Sequence, residues 1–196
     1  SQYSSGTDNT INAMLYNYYT SGAYNFLLIG GIFTSPFQYA AYYNANNSTW
    51  YDPTASSTLS IGTNGVVYSI AVYGTDIFVG GSFTQAGSQT VNYIAKWSTT
   101  NNYWEPLIES AGSNVGKIGL NGTVYSLVVN GNYLYIGGSF TSVNGGTNYY
   151  RIVKWDILGK YWSPVGNGLN NTVYSMYIDN QNLYICGDFT SDALST

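Results

Sequence analysis

The chain has 196 residues, of which 44% are apolar and only 7% carry a charged side chain. The apolar share is sufficient for one ordinary domain with a single core. The net charge of −4 and the five basic residues leave no positive surface for a phosphate backbone, which excludes nucleic acid as an expected partner. No apolar run approaches the roughly 18 to 20 residues that span a bilayer, and the single cysteine excludes an intrachain disulfide.

In chain order, four similar segments follow one another within a single unit of residues 1–196, at about residues 10–57, 64–110, 121–166 and 170–196. Each begins with an alternating apolar run, such as VYSIAV from Val67 or VYSLVV from Val124, and continues to IGGIF, VGGSF, IGGSF or ICGDF. The first three segments then carry two aromatic residues seven positions apart, whereas the fourth stops before this pair. Such a repeat is typical of proteins built from one supersecondary element used several times.

Each segment contains short runs with a two-residue alternation, separated by clusters of Gly, Asn, Asp and Ser. In the third segment these runs are TVYSLVV, YLYIGGSFT, YYRIVKW and KYWSPV. Four antiparallel strands in about 50 residues is the size of a β-propeller blade. The sequence therefore predicts an all-β chain of about three and a half four-stranded blades, whose last blade has an unpaired edge beside residues 187–190.

The repeated positions are expected to be structural, because a contact with a ligand would not need to recur in every segment. Glycine pairs let backbones approach closely, and a phosphate-binding loop is disfavoured because no helix and no Lys-Ser or Lys-Thr pair follows them. The tryptophans are expected to be buried between blades, and Lys96 and Lys154 before them are expected to have similar surroundings. The structural positions are Gly80, Gly81, Phe83, Trp97, Trp104, Gly137, Gly138, Phe140, Trp155 and Trp162.

The second and third segments resemble a known family. They read VYSIAV…IFVGGSFTQAG…NYIAKW and VYSLVV…LYIGGSFTSVNGG…RIVKWD. They are similar to the GGSFT-type β-propeller repeats of large secreted or surface proteins of bacteria, of the fungal cortical polarity marker and of giant-virus proteins. Their order and phase also resemble WD-repeat blades. The first segment departs from the pattern, with Tyr43 where the others have Trp97 and Trp155. The resemblance implies a propeller with a non-enzymatic role that is extracellular or at a virion or cell surface, and it supplies no catalytic residues.

Catalytic chemistry is restricted by the absence of histidine, which excludes Ser-His and Cys-His nucleophiles and imidazole metal sites. We therefore expect no enzyme, no cofactor and no metal site. A glycoside hydrolase that uses a carboxylate pair stays an alternative, although the spacing of the nine carboxylates favours no pair. In the fourth segment Cys186 and Asp188 replace a glycine and a serine. The thiol is expected to be a small packing residue, and a calcium site at Asp188 would need several further oxygen ligands.

Binding is expected on the loops between the second and third strands and between blades, which share one face in WD-like blades and vary most here. The leading hypothesis is an interaction module that binds a protein partner, or the remainder of a longer chain, that completes the propeller. A lectin-like glycan binder is the alternative, since Tyr, Asn, Ser and Gly are common on recognition surfaces. The candidate binding residues are Gln85, Gln89, Asn114, Lys117, Asn144 and Asn148.

Four asparagines lie in N-glycosylation sequons, at Asn46, Asn47, Asn121 and Asn170. A second interpretation is available for two of them, because Asn121, Asn170 and also Asn64 stand three residues before the valine of a first strand. Asparagine is a common turn residue, so it can recur there without a glycan. Both interpretations stay open at the level of the sequence.

Overall fold

The computed structural model describes residues 7–18, 25–34, 38–44, 48–51, 62–98, 101 and 103–194 of the protein. Within these ranges the chain forms sixteen β-strands and no helix, which confirms the predicted all-β class. The strands pair in antiparallel fashion into three four-stranded sheets and one two-stranded sheet, with one further short hairpin. No helix that could cross a membrane is therefore found in this part of the chain.

The strands are numbered in chain order. The first sheet contains β1 (Ile11–Tyr18), β2 (Asn25–Gly31), β3 (Ala40–Asn44) and β4 (Thr49–Tyr51). The second contains β5 (Val67–Tyr73) and β6 (Asp76–Gly81) and, after the short hairpin of β7 (Gln85–Ala86) and β8 (Gln89–Thr90), β9 (Ile94–Ser98) and β10 (Tyr103–Pro106). The third contains β11 (Val124–Asn130), β12 (Tyr133–Gly138), β13 (Ile152–Asp156) and β14 (Tyr161–Pro164). The fourth contains β15 (Val173–Asp179) and β16 (Asn182–Gly187).

Tight turns join the first two strands of the second and third sheets. Gly74 and Gly131 begin these two-residue turns with φ angles of 57° and 54°, in the left-handed region that glycine adopts without a steric penalty. The turn directs β6 and β12 back along β5 and β11, and the hydrophobic alternation of the strands then decides which side chains are buried.

Successive sheets pack on one another near their first strands: β1 contacts β5, β5 contacts β11, and β11 contacts β15. We call the side of a sheet that is turned toward the sheet before it in the chain its preceding face, and the opposite side its following face. The core lies between such faces. Ala71 and Phe78 on the following face of the second sheet, for example, share one cluster with Leu134, Ile136 and Trp155 on the preceding face of the third.

The glycine pair at the end of each second strand lies where backbones and sheets come close. A β-carbon on Gly137 would stand 2.5 Å from Cγ1 of Val173 in the next sheet, and one on Gly138 would collide with the carbonyl oxygen of Thr123, directly before the neighbouring strand. The first glycine therefore permits packing between sheets, and the second permits close pairing within a sheet. Equivalent surroundings are found at Gly80 and Gly81.

The tryptophans form cross-strand pairs inside the stack of sheets. Trp97 and Trp104 are 6% and 4% exposed with ring centroids 5.3 Å apart, and Trp155 and Trp162 are both 4% exposed with centroids 4.7 Å apart. The expected burial of these rings is confirmed. The phenylalanines that end the repeated glycine motif are also buried, at Phe83 and Phe140.

The two lysines before the tryptophans have different surroundings, so the expectation that they are alike is wrong. Lys96 Nζ lies 3.3 Å from Asp76 Oδ2 and 2.8 Å from Glu105 Oε2. Lys154 Nζ instead lies 4.8 Å from the centroid of the Tyr133 ring. The physical reason is that Tyr133 occupies, in the third sheet, the register position that Asp76 occupies in the second.

In each unit a side chain that precedes the first strand is hydrogen-bonded to the threonine after the second strand. We call this arrangement an asparagine clamp, after the residue found in three of the four units. Asn121 Oδ1 accepts hydrogen bonds from the backbone N–H groups of Thr141 and Ser142 at 2.8 and 3.0 Å, and its Nδ2 donates to Thr141 Oγ1 at 2.8 Å. This clamp explains both the recurrence of asparagine and the threonine of the GGSFT motif. Equivalent clamps join Asn64 to Thr84, Asn170 to Thr190 and, with a carboxylate in place of the amide, Asp8 to Thr34.

The clamp bears on the sequons, because Nδ2 is the atom to which a glycan would be attached. In Asn121 and Asn170 this atom donates a hydrogen bond to a threonine hydroxyl, while both residues lie exposed at the surface. Their glycosylation stays a prediction. Asn46 and Asn47 lie outside the described residues.

The fourth sheet ends at β16. In the second and third sheets the equivalent strands β6 and β12 pair on their outer edges with β9 and β13. In the part of the chain that the structure describes, β16 pairs only with β15, so its outer edge carries unpaired backbone groups, as expected beside residues 187–190.

Candidate interaction surfaces

The following face of the fourth sheet is exposed, although its counterparts in the second and third sheets are buried or partly buried. Tyr177 and Tyr184 are 66% and 52% exposed and form a cross-strand pair with ring centroids 6.3 Å apart. The residues at the same register positions of the second sheet, Ala71 and Phe78, are 6% and 1% exposed. The fourth sheet therefore presents two large aromatic rings on a face that in the interior of the stack would be covered by another sheet.

A serine hydroxyl on the following face of the second and of the third sheet binds the sheet that comes next, whereas the first sheet has Ala13 at this position. Ser69 Oγ accepts a hydrogen bond from the backbone N–H of Leu127 at 2.9 Å, and Ser126 Oγ accepts one from the backbone N–H of Met176 at 3.0 Å. Ser175 occupies the same position in the fourth sheet and is exposed. This hydroxyl is available to a further strand.

A row of tyrosines runs across the first strands of three sheets and ends on this surface. The ring centroids of Tyr68 and Tyr125 are 5.1 Å apart, and those of Tyr125 and Tyr174 are 5.5 Å apart. The Tyr174 hydroxyl donates to Asp188 Oδ2 at 2.6 Å, and this hydrogen bond and the nearby negative charge raise the pKa of the phenol. Asp188 thus has a partner in the fold, and the described residues contain no cluster of three or more metal-binding side chains.

Cys186 is also exposed on this surface, so the expectation of a packed thiol is wrong. It pairs with Ser175 in the register that joins Gly80 to Ser69 and Gly137 to Ser126. The interior glycines are covered by a valine of the next sheet, whereas no sheet follows β16 in the described part of the chain.

The preceding face of the first sheet is exposed at the opposite end of the stack. Ile11 and Met14 are 38% and 67% exposed, whereas Val124 and Leu127 at the same positions of the third sheet are 0% and 6% exposed. The described strands therefore do not close into a ring, and each end of the stack presents a face of the kind that is buried elsewhere.

None of the residues on these end faces was among the binding residues predicted from the sequence. A signal was present in the repeated VYS motif, because its serine recurs at Ser69, Ser126 and Ser175 while its partner changes from sheet to sheet. The alternation of apolar residues alone does not distinguish a covered face from an exposed one.

The predicted loop residues form one cluster and one separate hairpin. The insertion after β10 packs on the loop after β12, where the backbone N–H of Asn144 donates to the Gly119 carbonyl at 3.1 Å. The exposed residues of this cluster include Lys117, Asn144 and Asn148. Gln85 and Gln89 are exposed on the hairpin of β7 and β8.

Asn114 departs from the prediction of a surface contact, because its side chain is buried. It is 1% exposed, and its Oδ1 accepts a hydrogen bond from the backbone N–H of Thr147 at 2.7 Å. The residue joins the insertion to the loop after β12, so it supports the position of these loops without contacting solvent. Burial also raises the pKa of the neighbouring Tyr149, against a smaller lowering by its hydrogen bond with Asn114.

A groove of about 290 Å³ lies between the second and third sheets, with apolar side chains from both sheets in its walls. Burial lowers the pKa of Lys96 at this site, but the hydrogen bonds and charges of Glu105 and Asp76 outweigh burial, so the pKa is raised overall and the ammonium stays charged. The polar residues that line the groove are Asp76, Lys96, Tyr103, Glu105 and Lys160.

The groove brings two carboxylates together, which a glycoside hydrolase would require. Asp76 and Glu105 both contact Lys96 Nζ, at 3.3 and 2.8 Å. The ammonium is paired with both carboxylates, which therefore lie close together in the groove. The glycoside hydrolase alternative stays a prediction.

Comparisons with known proteins give a fold similarity and no family. No protein-family model matches the chain, and no curated protein sequence matches it. The solved structures that are similar to it include those of the computationally designed Ika4 and Ika8 proteins. The first has a TM-score of 0.55 at 13% identity, over 93% of this chain and 88% of that one. The second has a TM-score of 0.50 at 12% identity, over 91% of this chain and 43% of that one.

Proposed function

We propose that this protein is a structural and interaction module of the β-propeller type, whose sheets are blades, and that it acts without catalysis. It works at an exterior surface, extracellular or on a virion or cell, where a protein partner adds strands to it. The loops of the cluster around Lys117 and Asn144 provide further contacts with partners.

Support for the propeller arrangement comes from the repeated geometry. Each complete sheet has four antiparallel strands, and the first strands of successive sheets lie side by side, as blades around a common axis require. The low charged fraction of 7% and the resemblance of the GGSFT repeats support an exterior location.

The observation that carries the proposal is the unfinished fourth sheet. Among the described residues its outer strand β16 pairs only with β15, and its following face exposes Tyr177 and Tyr184. An open edge next to an exposed apolar face is a template for strand addition, in which backbone hydrogen bonds supply affinity and side-chain pockets supply specificity. A protein with a purely solvent-facing end would be expected to protect this edge.

The proposal is tested by supplying the missing strands as a peptide. A fluorescent peptide of residues 151–165, which contains β13 and β14, is titrated with the protein and its anisotropy is measured. Saturable binding is expected, together with slower hydrogen exchange of the β16 amides. The control peptide carries serine at the positions of Trp155 and Trp162. Equal binding of the two peptides, or no binding of either, contradicts strand addition at this edge.

Carbohydrate binding is a second candidate function, favoured by the groove between the second and third sheets. Its volume of about 290 Å³ is near the lower end of the range for small-molecule sites, about 300 to 1,000 Å³, so it suits one or two sugar rings. Lys96 uses one oxygen of each carboxylate, which leaves acceptor capacity for sugar hydroxyls. Tyr103 is 50% exposed at the rim, where an aromatic ring can pack on a sugar.

A glycan array distinguishes this second function from the first. Binding to one class of glycan is expected, and Tyr103→Ala should abolish it. Tyr161→Ala is the matched control, because Tyr161 stands at the same register position of the third sheet outside the groove. Equal loss in both variants, or an array without signal, contradicts a carbohydrate site here.

A further inference from the structure

We propose, on the basis of the proposed function, that the partner sheet received by the fourth sheet carries glycine or alanine opposite Cys186, where the sheets of this chain carry valine or isoleucine. The fourth sheet thereby accepts a specific partner and rejects other copies of this chain.

The three junctions inside the stack define what the receiving face requires. At each junction the first glycine of the pair lies against a valine of the next sheet, so that an added β-carbon would collide with a methyl group of that valine. For Gly137 the β-carbon would stand 2.5 Å from Cγ1 of Val173 and 3.1 Å from Sδ of Met176. The same glycine-to-valine contact joins Gly30 to Val67 and Gly80 to Val124.

The fourth sheet keeps the hydrogen-bonding and aromatic groups of this junction, but it replaces the glycine that makes room for the next sheet. Ser175 presents the hydroxyl that receives a backbone N–H in the two later junctions, and Tyr174 ends the row of tyrosine rings that crosses the same two junctions. Cys186, however, places both a β-carbon and a sulfur atom where the interior sheets have only the hydrogen of a glycine. A valine in the usual place would overlap these atoms, whereas glycine or alanine leaves room for them.

The same geometry rejects the first sheet of a second copy. Ile11 occupies the valine position in β1 and is larger than valine, so Cys186 and Ile11 would collide if one chain stacked on another in the register used inside the stack. A head-to-tail contact of that kind joins different surfaces and produces rings or open filaments. Cys186 therefore prevents such association even though both end faces of the stack are exposed.

Whether Cys186 prevents stacking of one chain on another is tested by measuring self-association of the full chain. Sedimentation velocity is recorded for the wild type, Cys186→Gly and Cys186→Ala, all under reducing conditions so that no disulfide forms. The wild type and Cys186→Ala are expected to remain at the monomer mass of 21.4 kDa, because both keep a β-carbon at this position. Cys186→Gly restores the interior pattern and is expected to associate at least about tenfold more tightly than Cys186→Ala.

Two further variants extend the test, and the first of them does not depend on how Cys186→Gly folds. Ile11→Gly removes the opposing side chain and should also associate, with Cys186 then protected from alkylation by maleimide. Ser175→Ala in the Cys186→Gly background should weaken association by about 2- to 10-fold, as the loss of one net hydrogen bond predicts.

Two results would overturn the inference. One is a wild type that associates as strongly as Cys186→Gly; the other is a Cys186→Gly and an Ile11→Gly protein that stay monomeric like Cys186→Ala. Binding of the 151–165 peptide at the β16 edge is measured separately, so strand addition can hold when the role of Cys186 does not.

Discussion

Replacing Gly137 by alanine tests the contact that joins the third and fourth sheets. The new β-carbon would stand 2.5 Å from Cγ1 of Val173 and 3.1 Å from Sδ of Met176, so one of these side chains or the sheets themselves must shift. Because the φ angle of Gly137 is outside the left-handed region, the backbone itself should accept alanine. Overpacking of this kind costs about 1 to 3 kcal/mol.

A double-mutant cycle separates this steric cause from other effects. Val173→Ala alone should destabilise the protein by about 1.6 kcal/mol for the two lost methyl groups, plus the cost of the cavity. When both substitutions are made, the smaller side chain at 173 leaves room for the alanine at 137. The combined loss should then be smaller than the sum of the single losses by about 1 to 2 kcal/mol.

Urea unfolding followed by tryptophan fluorescence gives these free energies. The slope of the unfolding free energy against urea concentration should equal that of the wild type, which shows that the compactness of the folded and unfolded states is unchanged. Gly131→Ala is the control, since nothing lies within 4 Å of its β-carbon position and its φ is 54°. It should cost about 1 to 2 kcal/mol from left-handed strain, with no coupling to Val173→Ala. Additivity of Gly137→Ala and Val173→Ala within about 0.5 kcal/mol would refute the steric explanation.

Three more predictions concern other parts of the fold. Trp155→Ala should lower the free energy of unfolding by about 3 to 5 kcal/mol in urea titrations, because the ring is buried between sheets. Asn121→Ala should cost about 1 to 3 kcal/mol for its lost hydrogen bonds, and Asn121→Asp should cost less, as the acceptor oxygens remain. The raised pKa of Lys96 means that its ion pairs stabilise the fold below about pH 10.4 and that this stability is lost at higher pH. The difference in Tm between wild type and Lys96→Met should therefore shrink as the pH rises through this range.

The sequence predicted most of the strand architecture, because spacing and alternation are local properties. The repeated distance between Val and the GGSF phenylalanine fixes two strands and a turn, and the paired aromatics mark two more. The burial of Trp97 and Trp155 follows from the same periodicity. A repeat therefore predicts well those features of a unit that do not depend on contacts with neighbouring units.

The surfaces were predicted less well, because they depend on contacts between distant segments. Asn114 lies in a largely polar insertion, between Ser113 and Val115, and its burial accompanies a contact with Thr147, 33 residues away. Cys186 follows the pattern of a packed position, and its exposure depends on which sheet lies beyond it. Lys96 and Lys154 share a motif but differ in their neighbours on the adjacent strands. Asp76 and Glu105 contact Lys96, whereas Tyr133 and Ser163 occupy these two register positions beside Lys154.

The asparagine clamps have a consequence for the order of folding. Each clamp joins residues only 20 positions apart, from the segment before a first strand to the loop after the second. Closing such a short loop costs little chain entropy, and contacts of short sequence separation form early. We therefore expect each hairpin to fold on its own. The contact between the first glycine of its second strand and the valine of the next sheet would form afterwards. The sheets would then pack side by side from hairpins that have already folded. The asparagine before each first strand would affect the rate at which each hairpin folds.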